Sequence, residues 1–323
     1  MNPAWLALLL AAPRMNGIAV TPYSEQGLSF AAQVDEPAAL GATHISVVVQ
    51  WAQNNVASNQ IAPHPKETQD EAVIRRLIRR ARARGLGVML FPIIWVERRG
   101  PDLWRGTLRP ENPALWWLSY ERFLMHFAEL AREEGAEVLS VGSELASMET
   151  EEGRWRELIA KVRARFPGKL LYSANWDHFA EVPFWGALDL IGLTAYHRLT
   201  ELQPPSQPDE AALREAWGKV RVVVLDWRAH HAPDRPLVFT EVGYPSTVGA
   251  AYRPWEHTLG GAVDLEAQRR CYAAFVDTWR DDPALAGVFF WSWWGAGGES
   301  DVSYTPRRKP AEAVLRSFFG ARP

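Results

Sequence analysis

Pro236-Leu237-Val238-Phe239-Thr240-Glu241-Val242-Gly243-Tyr244-Pro245 is the stretch on which the fold turns. Leu237 to Phe239 is a short apolar run with the length and composition of a strand buried on both faces, as in a parallel sheet. It ends on Thr240 and Glu241, and Gly243 and Pro245 break the pattern behind it. A carboxylate at the end of a buried strand is costly to desolvate unless something meets it. Glu137-Val138-Leu139-Ser140-Val141-Gly142-Ser143-Glu144 repeats the form. Two buried strands, each ending on Glu, are the strongest chemical signal in the chain.

Outward from these two, the same punctuation recurs. Strands are predicted at 17–20, 44–51, 87–95, 137–144, 170–175, 188–196, 237–241 and 288–294. Helices are predicted between them, for example at 70–84, where Val73, Ile74, Leu77 and Ile78 repeat at helical spacing, at 113–134 and at 265–279. The fifth interval holds only a short helical segment near 181–185. Strand–helix alternation implies parallel pairing with right-handed crossovers, and eight units imply a single (β/α)8 TIM barrel over residues 15–323. A doubly wound sheet loses its main support because no Gly-x-Gly-x-x-Gly follows the first strand. The polar stretch from Gln53 to Pro65 is long enough to suggest a functional loop.

Composition narrows the function classes. The 323 residues carry a formal charge of −3, which gives no electrostatic case for nucleic acid. The arginines at 75, 76, 79, 80, 82 and 84 read as a solvated helix face. A single cysteine, Cys271, excludes an intrachain disulfide and a cysteine-based zinc site; an inert buried thiol is expected. The 1–14 segment is apolar from Trp5 to Ala12, too short to span a membrane. It lacks the basic start of a signal peptide, so a cytoplasmic location is favoured over export. A monomer is expected.

In a barrel of this kind the site gathers at the C-terminal ends of the strands. Those ends bring Tyr23, Gln50, Trp51, Trp95, Glu97, Glu144, Asn175, Trp176, Asp177, Tyr196, His197, Glu241, Tyr244, Trp291, Trp293 and Trp294 to one mouth. Indole faces stack on the C–H faces of sugar rings while their N–H groups reach hydroxyls. Glycosidic cleavage needs two carboxyl groups, about 5–5.5 Å apart for retention. Strands four and seven face each other across the mouth, so Glu241 as nucleophile and Glu144 as acid/base is the working hypothesis. The negative Glu241 would favour a proton on Glu144, and losing that charge to an ester would free Glu144 to act as base. Asp177, His178 and His197 show no repeated ligand spacing, and neither a metal nor an organic cofactor is expected. Gly297-Gly298 precedes Glu299 and Asp301, which would repel a phosphate.

Gly142-Ser143-Glu144-Leu145, Phe239-Thr240-Glu241-Val242-Gly243-Tyr244 and Phe290-Trp291-Ser292-Trp293-Trp294 resemble the strand-four, strand-seven and strand-eight motifs of the large clan of retaining (β/α)8 glycosidases, clan GH-A. Within it the chain most resembles glycoside hydrolase family 113, whose characterised members are β-1,4-mannanases. The likeness takes in Trp255-Glu256-His257 and Asp264-Leu265-Glu266-Ala267-Gln268. It implies Glu144 as acid/base, Glu241 as nucleophile, Trp291 as a platform under the sugar, and Tyr196 as a hydrogen-bond partner of the nucleophile. Much of the clan has Asn before the acid/base, where this chain has Ser143. The serine hydroxyl or an amide such as Asn175 would then contact the substrate 2-hydroxyl, or the sugar preference differs. The expected activity is hydrolysis of β-1,4-linked mannan or manno-oligosaccharides. The rivals are the same machinery on another β-linked hexose polymer, and a sugar-binding barrel without catalysis.

Overall fold

The computed structural model describes residues 14–22, 28–100, 102–256 and 261–320. The N-terminal apolar segment up to residue 13, Tyr23 and His257 lie outside the described residues. Eight parallel strands close on themselves: β1 (Met15–Val20), β2 (His44–Gln53), β3 (Gly87–Val96), β4 (Val138–Ser143), β5 (Lys169–Ala174), β6 (Leu190–Thr194), β7 (Leu237–Val242) and β8 (Leu285–Phe290). β1 pairs with both β2 and β8, which closes the (β/α)8 barrel. Ile61 and Ala62, within the expected polar loop, add an antiparallel pair onto the end of β2.

Local chemistry sets the helix limits. The Asp70 carboxylate accepts the amides of Ala72 and Val73 and starts α2 (Glu71–Ala83). Asn112 caps α3 (Pro113–Glu134), Pro113 occupies its first turn, and Gly135 ends it in the left-handed region. The remaining helices are α1 (Ala32–Ala39), α4 (Glu152–Arg163), α5 (Glu210–His231), α6 (Leu265–Trp279) and α7 (Pro310–Phe319). The fifth crossover departs from strict alternation: only two 3-10 turns, Phe179–Glu181 and Trp185–Ala187, join β5 to β6. Arginines of the 75–84 cluster are anchored by acids of neighbouring helices, Arg79 on Glu134 and Arg80 on Asp35.

Alternation along the strands builds two apolar layers. Met15, Ala19, Val48, Met89, Phe91, Val138, Leu171, Leu190, Val238 and Phe289 fill the barrel. Their sequence neighbours, such as Val47, Val49, Leu139, Leu170 and Phe239, belong to the larger layer between sheet and helices. Cys271 lies buried in α6, where burial pushes its thiol up to about 12. The buried Lys309 ammonium holds the loop after β8 through Ser246, Asp301 and the Ser303 carbonyl.

Candidate active site

Both strands that carry the critical glutamates are interrupted immediately before them. Ser140 pairs with Leu171 and Ser143 with Ser173, so three steps on β4 match two on β5. On the other side, Phe239 pairs with Val288 and Val242 with Phe290, three steps on β7 against two on β8. A bulge of this kind re-aims side chains by breaking the period of two. Simple alternation from Val238 (inside) and Phe239 (outside) would turn Glu241 away from the barrel; the extra residue lets Thr240 and Glu241 both face the mouth. Gly142 sits in the β4 irregularity because a Cβ there would lie 2.8 Å from the Tyr120 hydroxyl and the Tyr172 ring.

Four groups meet above the barrel. Tyr196, just past β6, donates its hydroxyl to Glu241 Oε2 at 2.7 Å. Glu241 Oε1 is buried without a hydrogen-bond partner. Arg105, in the 3-10 turn Arg105–Thr107 that follows β3, places Nη2 2.6 Å from Glu144 Oε2. Glu144 itself has φ +54°, the left-handed region unusual for a non-glycine residue. Burial and the charge of Glu144 push the Glu241 carboxyl well above the ordinary carboxylate range, opposed by Arg105 and the Tyr196 hydrogen bond. Burial works against the charge on Arg105, but the fields of Glu144 and Glu241 outweigh it and raise its pKa. The two glutamates and the arginine therefore form one electrostatic unit. Burial and the charge of Glu241 likewise drive Tyr196 well up, so it stays a hydrogen-bond donor.

The expected sugar contacts divide. Trp291 is half-buried just past β8, packs on the inner layer, and begins the cis peptide Trp291–Ser292. Trp176 stacks on Trp255 at 5.5 Å and 26°, a two-indole wall on one side of the mouth. Trp95 lies half-buried, edge-on to His64 at 5.3 Å. The Ser143 hydroxyl is buried without a partner, whereas Asn175 Oδ1 accepts from the Trp176 amide and the Thr194 hydroxyl. Gln50 uses its Nε2 on the Glu67 carbonyl and so ties down the loop after β2. Trp294 is half-buried, its amide turned to the Thr305 hydroxyl.

Three residues leave the expected set, and His197 moves to a supporting place. Trp51 points outward from β2 and packs on Phe123, His126 and Phe127 of α3, because it shares the outward parity of Val47 and Val49. Tyr244 is fully buried under α5, where its oxygen accepts the Trp217 indole N–H at 3.0 Å. Trp293 is buried and donates to Glu36 of α1 at 2.8 Å. His197 stands behind Trp176, edge-on to it and to Trp217. Burial depresses its pKa to about 3, so the ring is neutral near neutral pH.

Two site residues carried no sequence signal. Arg105 is one arginine among many in a loop, without periodicity around it. Tyr304 lies 6.2 Å from the Tyr196 ring, donates to the Pro254 carbonyl, and is pushed up by burial and by Glu256 and Glu241. Its partners come from loops distant in sequence. Among the described residues no group of three or more His, Cys, Asp or Glu could hold a metal ion, and no helix is long and apolar enough to cross a membrane. His178 is held instead by Glu149 at 2.9 Å.

Comparison with known proteins places the fold among glycoside hydrolases. A GH113 β-mannanase from Alicyclobacillus acidocaldarius, solved as a complex, superposes with a TM-score of 0.83 at 28% identity, over 96% of this chain and 98% of that one. A GH113 β-1,4-mannanase superposes at 0.81 with 23% identity, over 96% and 100% of the two chains. A β-glucuronidase from Faecalibacterium prausnitzii shares the fold alone, at 0.63 and 12%, over 96% of this chain and 49% of its own. No curated protein matches the sequence. The family model for Glycoside Hydrolase Family 113 matches residues 25–302, and the chain is a (β/α)8 glycoside hydrolase belonging to that family.

Proposed function

We propose that the protein hydrolyses β-1,4-linked mannan or manno-oligosaccharides with retention of anomeric configuration, with Glu241 as nucleophile and Glu144 as acid/base. The observation that carries this reading is the difference between the two oxygens of Glu241. Oε2 is tied to the Tyr196 hydroxyl, while Oε1 is buried, unpartnered and free to attack the anomeric carbon. The substrate class follows the β-mannanases of the family to which the chain belongs.

In the first displacement Glu241 Oε1 bonds to the anomeric carbon as Glu144 gives its proton to the departing glycosidic oxygen. The step requires a charged Glu241; Arg105 and the Tyr196 hydrogen bond favour that charge, against burial and the field of Glu144, which push the Glu241 carboxyl up. Once Glu241 is esterified its charge is gone, and Glu144 takes a proton from the water that attacks the ester. Trp291 and the Trp176–Trp255 wall supply apolar faces for sugar rings, and the buried Ser143 hydroxyl offers an unused hydrogen bond.

The test is hydrolysis of mannan and a panel of β-1,4-linked oligosaccharides by wild type and Glu241→Ala, with product anomers followed by NMR. First release of the β-anomer from mannan, lost by several orders of magnitude in the variant, supports the reading. Cleavage of glucan or xylan alone would discard the substrate. Binding without turnover on every substrate would discard the catalytic roles.

A further inference from the structure

The loop that carries Glu144 and the loop that carries Trp176 are joined by a line of polar contacts that the mechanism above leaves unused. β4 leaves through Glu144 into the 3-10 turn Ala146–Met148 and reaches Glu149. β5 leaves through Asn175 and Trp176 into the turn Phe179–Glu181. Between them, the Leu145 amide donates to the Tyr172 hydroxyl at 2.8 Å. Tyr172 donates to Glu149 Oε1 at 2.6 Å, and His178 Nδ1 meets Glu149 Oε2 at 2.9 Å. His178 Nε2 then lies 3.3 Å from Glu181 at the surface. Tyr172 and Glu149 are fully buried, while His178 is half-buried.

The directions in this line are fixed by donor counting. A backbone amide can only donate, and a phenol has one hydrogen to give. The Tyr172 oxygen therefore accepts from Leu145, and its one hydrogen is donated to Glu149 Oε1; burial pushes the Glu149 carboxyl up, opposed by Tyr172 and His178. The Leu145 amide follows directly after Glu144, whose left-handed backbone persists only where neighbours over-determine it. The Glu144 amide is held on its other side by the Ser173 carbonyl at 2.8 Å. The Trp155 indole fixes the far end of the turn on the Met148 carbonyl at 2.9 Å.

We infer that Tyr172, Glu149 and His178 are positioning residues: they clamp the Glu144–Leu145 peptide and register it against the Trp176 loop, so that the proton donor meets the leaving oxygen of a sugar seated at the indoles. The inference rests on the assignment of Glu144 as acid/base.

A proton donor matters most when the leaving group is a poor one. Sugar alcohols need the proton, and dinitrophenolate departs without it. The experiment compares kcat/KM, which reports the first displacement, on a manno-oligosaccharide and on dinitrophenyl β-mannobioside. The enzymes are wild type, Tyr172→Phe, Glu149→Leu, Glu149→Gln, His178→Ala and, as reference, Glu144→Ala. Tyr172→Phe and Glu149→Leu are expected to lose roughly tenfold or more on the oligosaccharide, within the range that general acid catalysis contributes, and less than about threefold on the aryl substrate. Glu149→Gln, which keeps an acceptor for Tyr172, should recover most of the loss. A purely structural role would lower both substrates together, and that result, or no loss, overturns the inference. If Glu144→Ala itself fails to discriminate between the substrates, the acid assignment fails instead. Should the buried variants lose their cooperative thermal transition, His178→Ala at the half-exposed end decides: a selective loss supports the clamp, and an equal loss or none overturns it.

Discussion

His197 makes the protein's acid stability calculable. Its ring is 8% exposed, edge-on to Trp176 at 5.2 Å and Trp217 at 5.5 Å, and its Nε2 has no partner. Burial lowers its pKa from 6.5 to about 3. Between these values the unfolded chain binds a proton that the folded chain refuses, so stability falls as the pH falls. The contribution of neutral His197 is fully present above pH 6.5 and is lost progressively down to about pH 3. Each unit in that window removes about 1.4 kcal/mol. At pH 4, about 2.5 units below the unfolded value, the loss reaches about 3 kcal/mol, a large share of the roughly 5–15 kcal/mol typical of a folded domain. The substitution His197→Phe keeps a ring between the two indoles and removes the titration. Urea unfolding followed by tryptophan fluorescence at pH 7, 5.5 and 4 should show the stability of the variant relative to wild type rising by about 3 kcal/mol across the series. Parallel pH dependences, within about 0.5 kcal/mol at every pH, would refute the argument and place the proton elsewhere.

Arg105→Ala removes the cation that pulls Glu241 down, so the acid limb of the kcat/KM profile, which reports ionisation of the nucleophile, should move to higher pH. The loss of rate at neutral pH is expected to be about 10²-fold; a profile unchanged in shape would show that Arg105 acts only as a packing group. Trp51→Leu should cost about 2–3 kcal/mol in a thermal or urea transition through lost contacts with α3, with KM on manno-oligosaccharides unchanged. A raised KM would return Trp51 to the substrate site.

The sequence by itself determined the barrel and singled out Glu144 and Glu241 at strand ends, which the fold brings within each other's electrostatic reach. Apolar runs such as Leu237–Phe239, punctuated by Gly and Pro, need only local pattern to be recognised, and α3 and α6 begin and end where their capping residues and periodicity place them. Side-chain direction was not so accessible. Trp51, Tyr244 and Trp293 sit at strand ends like Trp291, yet they face the helices, because an aromatic residue suits either face of a buried strand and only the parity of the pairing separates them. Glu241 shows the converse: plain alternation would turn it outward, and the bulge on β7, visible only once β7 is paired with β6 and β8, turns it in. Arg105, Tyr304 and the Tyr172–Glu149–His178 line belong to the same class. Their partners lie far away in sequence, and which of many arginines, tyrosines or glutamates meet is decided by packing in three dimensions rather than by local pattern.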